Sequence, residues 1–197
     1  MPLQGLSTYF FSFFFLWVFV HTLEDMSLSK KTGGKPTNFD YCLTSAAIPH
    51  MVLKGGGCIR TVIDTNILYA GLYSSTGASF QIIQAVMKKR VQPVMSVALL
   101  FEYEDVLKRN STKLGLTDAW IDALLNTFCA LCSLHKIHYL WRPFLPDPKD
   151  DHVLELAVAS GVKTITTFNR KDFKGVEDFG VEILSPKTLL EEIKWAL

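Results

Sequence analysis

The amino-acid sequence predicts an α/β domain with a central parallel sheet wrapped by helices, and three observations carry that expectation. From Cys58 onward, short β-rich runs alternate with segments of helical period. The chain has 197 residues, 49% of them apolar, enough for one domain with a substantial core. No internal repeat or low-complexity linker divides the stretch from about Met51 to Leu197, so residues 51–197 read as one domain and residues 1–50 as an extension outside it.

The first strand, Ile59 to Asp64, is buried by Val62 and Ile63 and closes on a carboxylate. Open α/β sheets hold their ligands in the crevice above the C-terminal ends of their strands, so Asp64 has an active-site address. An aspartate there also suits a turn or the cap of a helix Asn66 to Leu72. In the functional reading, Thr65 or Asn66 hydrogen-bonds a bound water or a phosphate oxygen. A helix Ser79 to Lys89 and a strand Pro93 to Ser96 follow.

The next helix, Val97 to Arg109, carries Glu102, Glu104 and Asp105. At 100° per residue its apolar arc runs through Leu99, Leu100, Tyr103, Val106 and Leu107, with Glu102 and Glu104 each about 40° off an edge and Asp105 pointing away. Periodicity leaves two rim candidates and does not choose between them. The competing account is a solvated acidic face paired with Lys108 and Arg109. A helix Thr117 to Leu134 then packs Cys129 and Cys132 with Leu125 and Phe128, and a strand Ile137 to Leu140 follows it.

In the helix Asp150 to Ala159, Val153, Leu154 and Ala157 stand three, four and seven positions after Asp150 and share its face, so Asp150 points inward. Asp151 sits at the rim as a supporting residue, and His152 and Glu155 fall on the polar side. An inward carboxylate needs a partner or a metal, because an unpaired buried charge is costly. Asp147-Pro148 reads as an N-cap followed by proline at the first helical position. A strand Thr164 to Thr167 runs into Asn169 and Asp172, a strand Val181 to Leu184 follows, and a helix Pro186 to Ala196 completes the domain.

Charge excludes less than it suggests. Twenty basic residues oppose nineteen acidic ones, so no global positive field advertises nucleic acid, and phosphate binding has to come from local lysines such as Lys88, Lys89, Lys149 and Lys171 or from metal. Cysteines 42, 58, 129 and 132 form no paired metal knuckle and no disulfide framework, which fits a reducing cytosol. Leu3 to Leu23 is uncharged and almost wholly apolar from Tyr9 to Val20. It reads first as a spurious or dispensable extension, with Met26 and Met51 as later starts. The second reading is a membrane anchor that would leave the domain in the cytoplasm, and the third, lacking basic residues and a cleavage site, is a secretion signal.

Taken together, Val62-Ile63-Asp64-Thr65-Asn66, the helix with Glu102, Asp147-Pro148-Lys149-Asp150-Asp151, and Thr166-Thr167-Phe168-Asn169-Arg170-Lys171-Asp172-Phe173 resemble a PIN domain. The likeness is strongest to the bacterial subgroup regarded as toxins of toxin-antitoxin pairs, and it covers about Ile59 to Leu197. It implies a Rossmann-like three-layer α/β/α sandwich that binds Mg²⁺ or Mn²⁺ and cleaves RNA in the cytoplasm, with a cognate antitoxin protein and a homodimer as implied partners. Carried over residue by residue, Asp64, Glu102, Asp150 and Asp172 are the catalytic, metal-binding acids, with Thr65, Asn66, Thr167, Asn169 and Asp151 in support. Many family members have aspartate where this chain has Asn169, and an amide does not supply that charge. The competing reading is therefore a catalytically impaired PIN module that binds RNA or protein. A phosphoacceptor domain using Asp64 is a third, disfavoured because no acidic pair precedes Asp64.

Overall fold

A computed structural model describes residues 58–195. The N-terminal extension, its anchor and signal readings and the alternative starts at Met26 and Met51 lie outside the described residues. Among those residues, no helix is long and apolar enough to cross a membrane.

Five parallel strands form the central sheet: β1 (Ile59–Ile63), β2 (Val91–Met95), β3 (Ser133–Leu134), β4 (Thr164–Thr166) and β5 (Glu182–Leu184). Their order across the sheet is β3-β2-β1-β4-β5. From β1 the chain builds outward to β2 and β3, then returns past β1 to place β4 on its other side. The strand order thus reverses between β1 and β4, and a crevice opens above their C-terminal ends. Asp64 follows β1 and Thr167 follows β4, so both sit at that reversal.

The helices are α1 (Thr65–Tyr73), α2 (Ala78–Met87), α3 (Val97–Arg109), α4 (Ser111–Leu114), α5 (Asp118–Leu131), α6 (Asp151–Ser160) and α7 (Pro186–Trp195). Two 3-10 turns, Arg170–Phe173 and Val176–Phe179, carry the chain from β4 to β5. Ser96 caps α3 by accepting from the Leu99 amide at 3.2 Å, and Thr117 caps α5 by accepting from the Trp120 amide at 3.3 Å. α1 and α2 approach closely because Gly71 has no side chain: a Cβ there would lie 2.4 Å from Ile83 Cδ1 and 2.9 Å from the Ser79 carbonyl oxygen.

Three expectations are corrected. The strand expected at Ile137 to Leu140 does not form. α5 ends at Leu131, Cys132 is extended, and Ser133 and Leu134 pair with Val94 and Met95. The ladder's last bond runs from the His135 amide to the Met95 carbonyl at 2.8 Å, and the chain then leaves the sheet. Pro143, Pro146 and Pro148 withhold donors from any further ladder, and Tyr139 and Leu140 are exposed. The second correction is β2, which starts at Val91, ahead of Pro93. β3 reaches only Val94 and Met95, so Pro93 has a strand neighbour on one side alone and its missing N–H breaks no ladder. The third concerns α6, which begins at Asp151 with Asp150 at the N-cap. Asp147 instead accepts from the Lys149 amide at 3.0 Å in a turn before the helix.

Candidate active site

Asp64 occupies the N-cap position of α1 but makes no capping hydrogen bond with its side chain. Its Oδ2 accepts from the Asn66 side-chain amide at 2.6 Å and from the Thr167 hydroxyl. Both bonds fall on one oxygen, and the backbone amides of Asn66 and Thr65 lie close enough to the carboxylate to help stabilise its charged form. The Asn66 amide also donates to Thr167 Oγ1 at 3.1 Å, and Thr167 Oγ1 accepts from the Asn169 amide at 2.9 Å. Asn66 and Thr167 therefore spend their bonds holding Asp64 and shaping the turn after β4. Burial pushes the Asp64 carboxyl above its ordinary value, the Thr167 bond opposes that, and the Glu102 charge adds to it.

Glu102 reaches the same region because its neighbour Tyr103, fully buried, donates its phenol proton to the Ile63 carbonyl and pins α3 to the end of β1. Glu102 Oε2 lies 2.7 Å from His152 Nε2, while His152 Nδ1 lies 2.7 Å from the Lys149 carbonyl. A carbonyl only accepts, so Nδ1 carries a proton and Nε2 needs a second to meet the carboxylate. The approach of Nε2 to the carboxylate is close without being a well-aligned hydrogen bond, and each group favours the charged form of the other. Burial alone would raise Glu102, but His152 brings it below its ordinary value. Burial alone would lower His152, but Glu102 raises it. Thr65 Oγ1 is buried without a well-aligned hydrogen bond, yet it lies near enough to Glu102 to help lower it.

Glu104 and Asp105 take the surface role. Glu104 pairs with Lys108 at 2.7 Å and Asp105 with Arg109 at 2.8 Å. Of the two rim candidates left by periodicity, Glu102 is the one that turns toward Asp64.

Asp150 is half-buried and accepts no capping bond. Its carboxyl is pushed up to about 7, first by burial, then by the charges of Asp64, Asp147, Glu102 and Asp172. All four proposed acids thus act within one field. Asn169 is exposed, and its carbonyl accepts from the Asp172 amide at 3.1 Å in the first 3-10 turn.

Asp151 is not at a rim. It is 1% exposed and accepts from the amides of Leu145, at 2.8 Å, and Phe144, at 3.3 Å. Glu155, expected on the polar side, is equally buried and binds the Trp141 amide at 3.0 Å and the Arg142 guanidinium at 2.9 Å. Both fix the irregular segment before α6. His152 was also expected on the polar side, and its contact with α3 is a tertiary fact without a local sequence signal.

Oxygen-only donors that repel one another suit a hard divalent cation in kind. Among the described residues, however, no three His, Cys, Asp or Glu side chains are drawn together closely enough to hold an ion.

An all-parallel open sheet with helices on its faces, and with polar groups gathered where the strand order reverses, defines a Rossmann-like α/β protein. A PIN domain family model matches residues 60–171, more than half of the chain, and the chain belongs to the PIN domain family. Members of that family are in general nucleases. The match includes Asp64, Glu102, Asp150 and Asn169 and stops one residue before Asp172. No curated protein matches the chain.

Proposed function

We propose that the chain is a divalent-metal-dependent endoribonuclease in which Asp64, Glu102, Asp150 and Asp172 form the acidic set and Mg²⁺ or Mn²⁺ is the cofactor. The observation that carries this reading is the half-buried Asp150 carboxyl at the start of α6, held near neutrality first by burial and then by the charges of Asp64, Asp147, Glu102 and Asp172. Carboxylates crowded at a strand-end crevice destabilise the fold unless a cation enters, and such strain is characteristic of functional sites.

A divalent cation supplies Lewis acidity and neutralises charge on the leaving oxygen of a phosphodiester. The chain's own residues do the rest. Asp64 offers its carboxylate while Asn66 and Thr167 hold Oδ2 still. Glu102 is kept ionised by His152. Asp150 sits where a proton is released once a cation arrives. A water attacks in line, and no protein nucleophile is needed.

The test is cleavage of RNA in Mg²⁺ or Mn²⁺ by the intact protein and by Asp64→Ala and Asp150→Ala. Cleavage by the intact chain alone supports the reading, and RNA binding without cleavage points to a binding module. The toxin role rests on the bacterial subgroup that the motifs resemble. Expression of the protein alone should then arrest growth and Asp150→Ala should relieve the arrest; normal growth with the intact protein would count against it.

A further inference from the structure

Residues 135–150 carry no helix or strand, yet part of this stretch is fixed from behind. Glu155 grips the Trp141 amide and the Arg142 guanidinium, and Asp151 grips the amides of Phe144 and Leu145. Asp151 and Glu155 stand one turn apart on α6, so the segment is strapped along that helix. It climbs from Glu155 toward the helix start and ends beside Asp150. Its outer side carries a chain of rings. Centroids are 4.7 Å apart for Tyr139 and Trp141, 5.1 Å for Trp141 and Phe179, and 5.0 Å for Phe144 and Phe179. These rings are not hidden: Tyr139 is 66% exposed, and Trp141 and Phe144 are 39% exposed.

We infer that the strip formed by Tyr139, Trp141, Phe144 and Phe179 is a stacking platform for the bases of single-stranded RNA running to the acids. The inference rests on the ribonuclease reading. Stacking rewards rings that are already held in place: the straps from Asp151 and Glu155 fix the backbone at Trp141 and Phe144, and Tyr139 and Phe179 pack against those two rings. Phosphates beside a stacked base need nearby cations. Exposed Lys149 immediately precedes Asp150 in the chain, and exposed Lys174 precedes Gly175, whose missing Cβ would lie 3.3 Å from the Phe144 ring; Glu177 and Asp178 beside Phe179 direct the phosphates to the Phe144 end of the strip. Continuity is the third support, because the segments bearing the rings are those that deliver Asp150 and follow Asp172. A duplex hides its base faces, so the ligand is single-stranded, and stacking tolerates any base.

The test is binding of a labelled single-stranded oligoribonucleotide to the full chain in EDTA, where cleavage cannot interfere. Trp141→Ala and Phe144→Ala should each weaken binding roughly tenfold or more. Trp141→Tyr should keep most of it, Trp141→Leu should not, and affinity for a fully paired duplex should not change. Mn²⁺-dependent hydrolysis of bis(p-nitrophenyl) phosphate, which has no neighbouring nucleotides to stack, should be the same in all variants, which also shows that they are folded. Unchanged RNA binding in the alanine variants, or full binding by Trp141→Leu, overturns the platform. So does a dimer of the intact protein that Trp141→Ala dissociates, since the strip would then be a self-association face. Hydrolysis of both substrates with ring-independent binding refutes the platform alone, and hydrolysis of neither refutes the nuclease reading itself.

Discussion

Asp150→Asn should stabilise the metal-free protein while ending its cleavage activity, and Asp151→Ala, one position on, should destabilise it. An Asp150 carboxyl raised from 3.8 to about 7 means that the folded state holds this proton more tightly than the unfolded state does. The ionised group therefore costs stability. The cost grows as pH rises from about 4 to about 7 and is fully present above that. At 1.36 kcal/mol per pH unit the ceiling is roughly 4 kcal/mol. Asp150 is only half-buried, and solvent screening reduces the figure to about 1–2 kcal/mol. For a domain of this size that is a rise in Tm of about 2–8 °C at pH 8 in EDTA. The gain should be smaller at pH 5, where part of the folded wild type carries the proton, and should vanish well below pH 4. Asp151→Ala leaves the buried amides of Phe144 and Leu145 without an acceptor and should cost about 2–4 kcal/mol. Calorimetry on the three proteins at both pH values measures this. A neutral or destabilising Asp150→Asn at pH 8 would show that the carboxylates are not crowded and would remove the main support for a cation site.

Mn²⁺ at about a hundred times its Kd should raise wild-type stability by about 2.7 kcal/mol and do much less for Asp64→Asn, as a thermal shift with and without metal would show. Arg142→Ala leaves the Glu155 carboxylate buried with only the Trp141 amide and should cost about 2–4 kcal/mol in urea unfolding. Adding Glu155→Gln should recover part of the loss. Gly71→Ala drives a methyl against Ile83 and the Ser79 carbonyl and should lower stability by about 1–3 kcal/mol. His152→Ala should cost more at pH 6 than at pH 9. A histidine raised in the folded state contributes stability below its unfolded value and loses it as pH rises through the folded one, and an NMR titration of the His152 ring would locate that loss.

Much of this architecture is visible in the sequence because it depends on local rules. Asp64 closes a buried strand, and that position alone gives its address. Asp150 shares a helical face with Val153, Leu154 and Ala157, and although it stands at the N-cap and is only half-buried, that face brings it within the field of Asp64 and Glu102. What periodicity misreads are Asp151 and Glu155. A helical wheel assumes that charge seeks water, but these carboxylates are buried against backbone amides and Arg142 from a segment that has no sheet to bond to. His152 escapes for a related reason, since its partner Glu102 lies fifty residues away on α3. The misplaced third strand follows from β-propensity alone: Ile137 to Leu140 looks like a strand, but Met95 has already taken its partner at His135.

The charges on α6 and around it differ in how fully the protein itself satisfies them. Asp151 and Glu155 are answered completely by donors and belong to the scaffold. Glu102 is answered by His152 and can stay ionised without help. Asp64 is answered in part, by the Asn66 and Thr167 side chains and the nearby Thr65 and Asn66 amides, yet burial still raises it. Asp150 makes no side-chain capping bond, and burial together with the charges of the other acids drives it toward its protonated form. Because His152 already balances Glu102, the charge still missing lies between Asp64 and Asp150, at the reversal of strand order where α/β sheets hold their ligands. Asn169, whose backbone amide bonds the same Thr167 hydroxyl that holds Asp64, adds no charge there. The proposed nuclease site thus makes its strongest demand for a cation between β1 and α6, where the charge of Asp64 raises the cost of ionising Asp150.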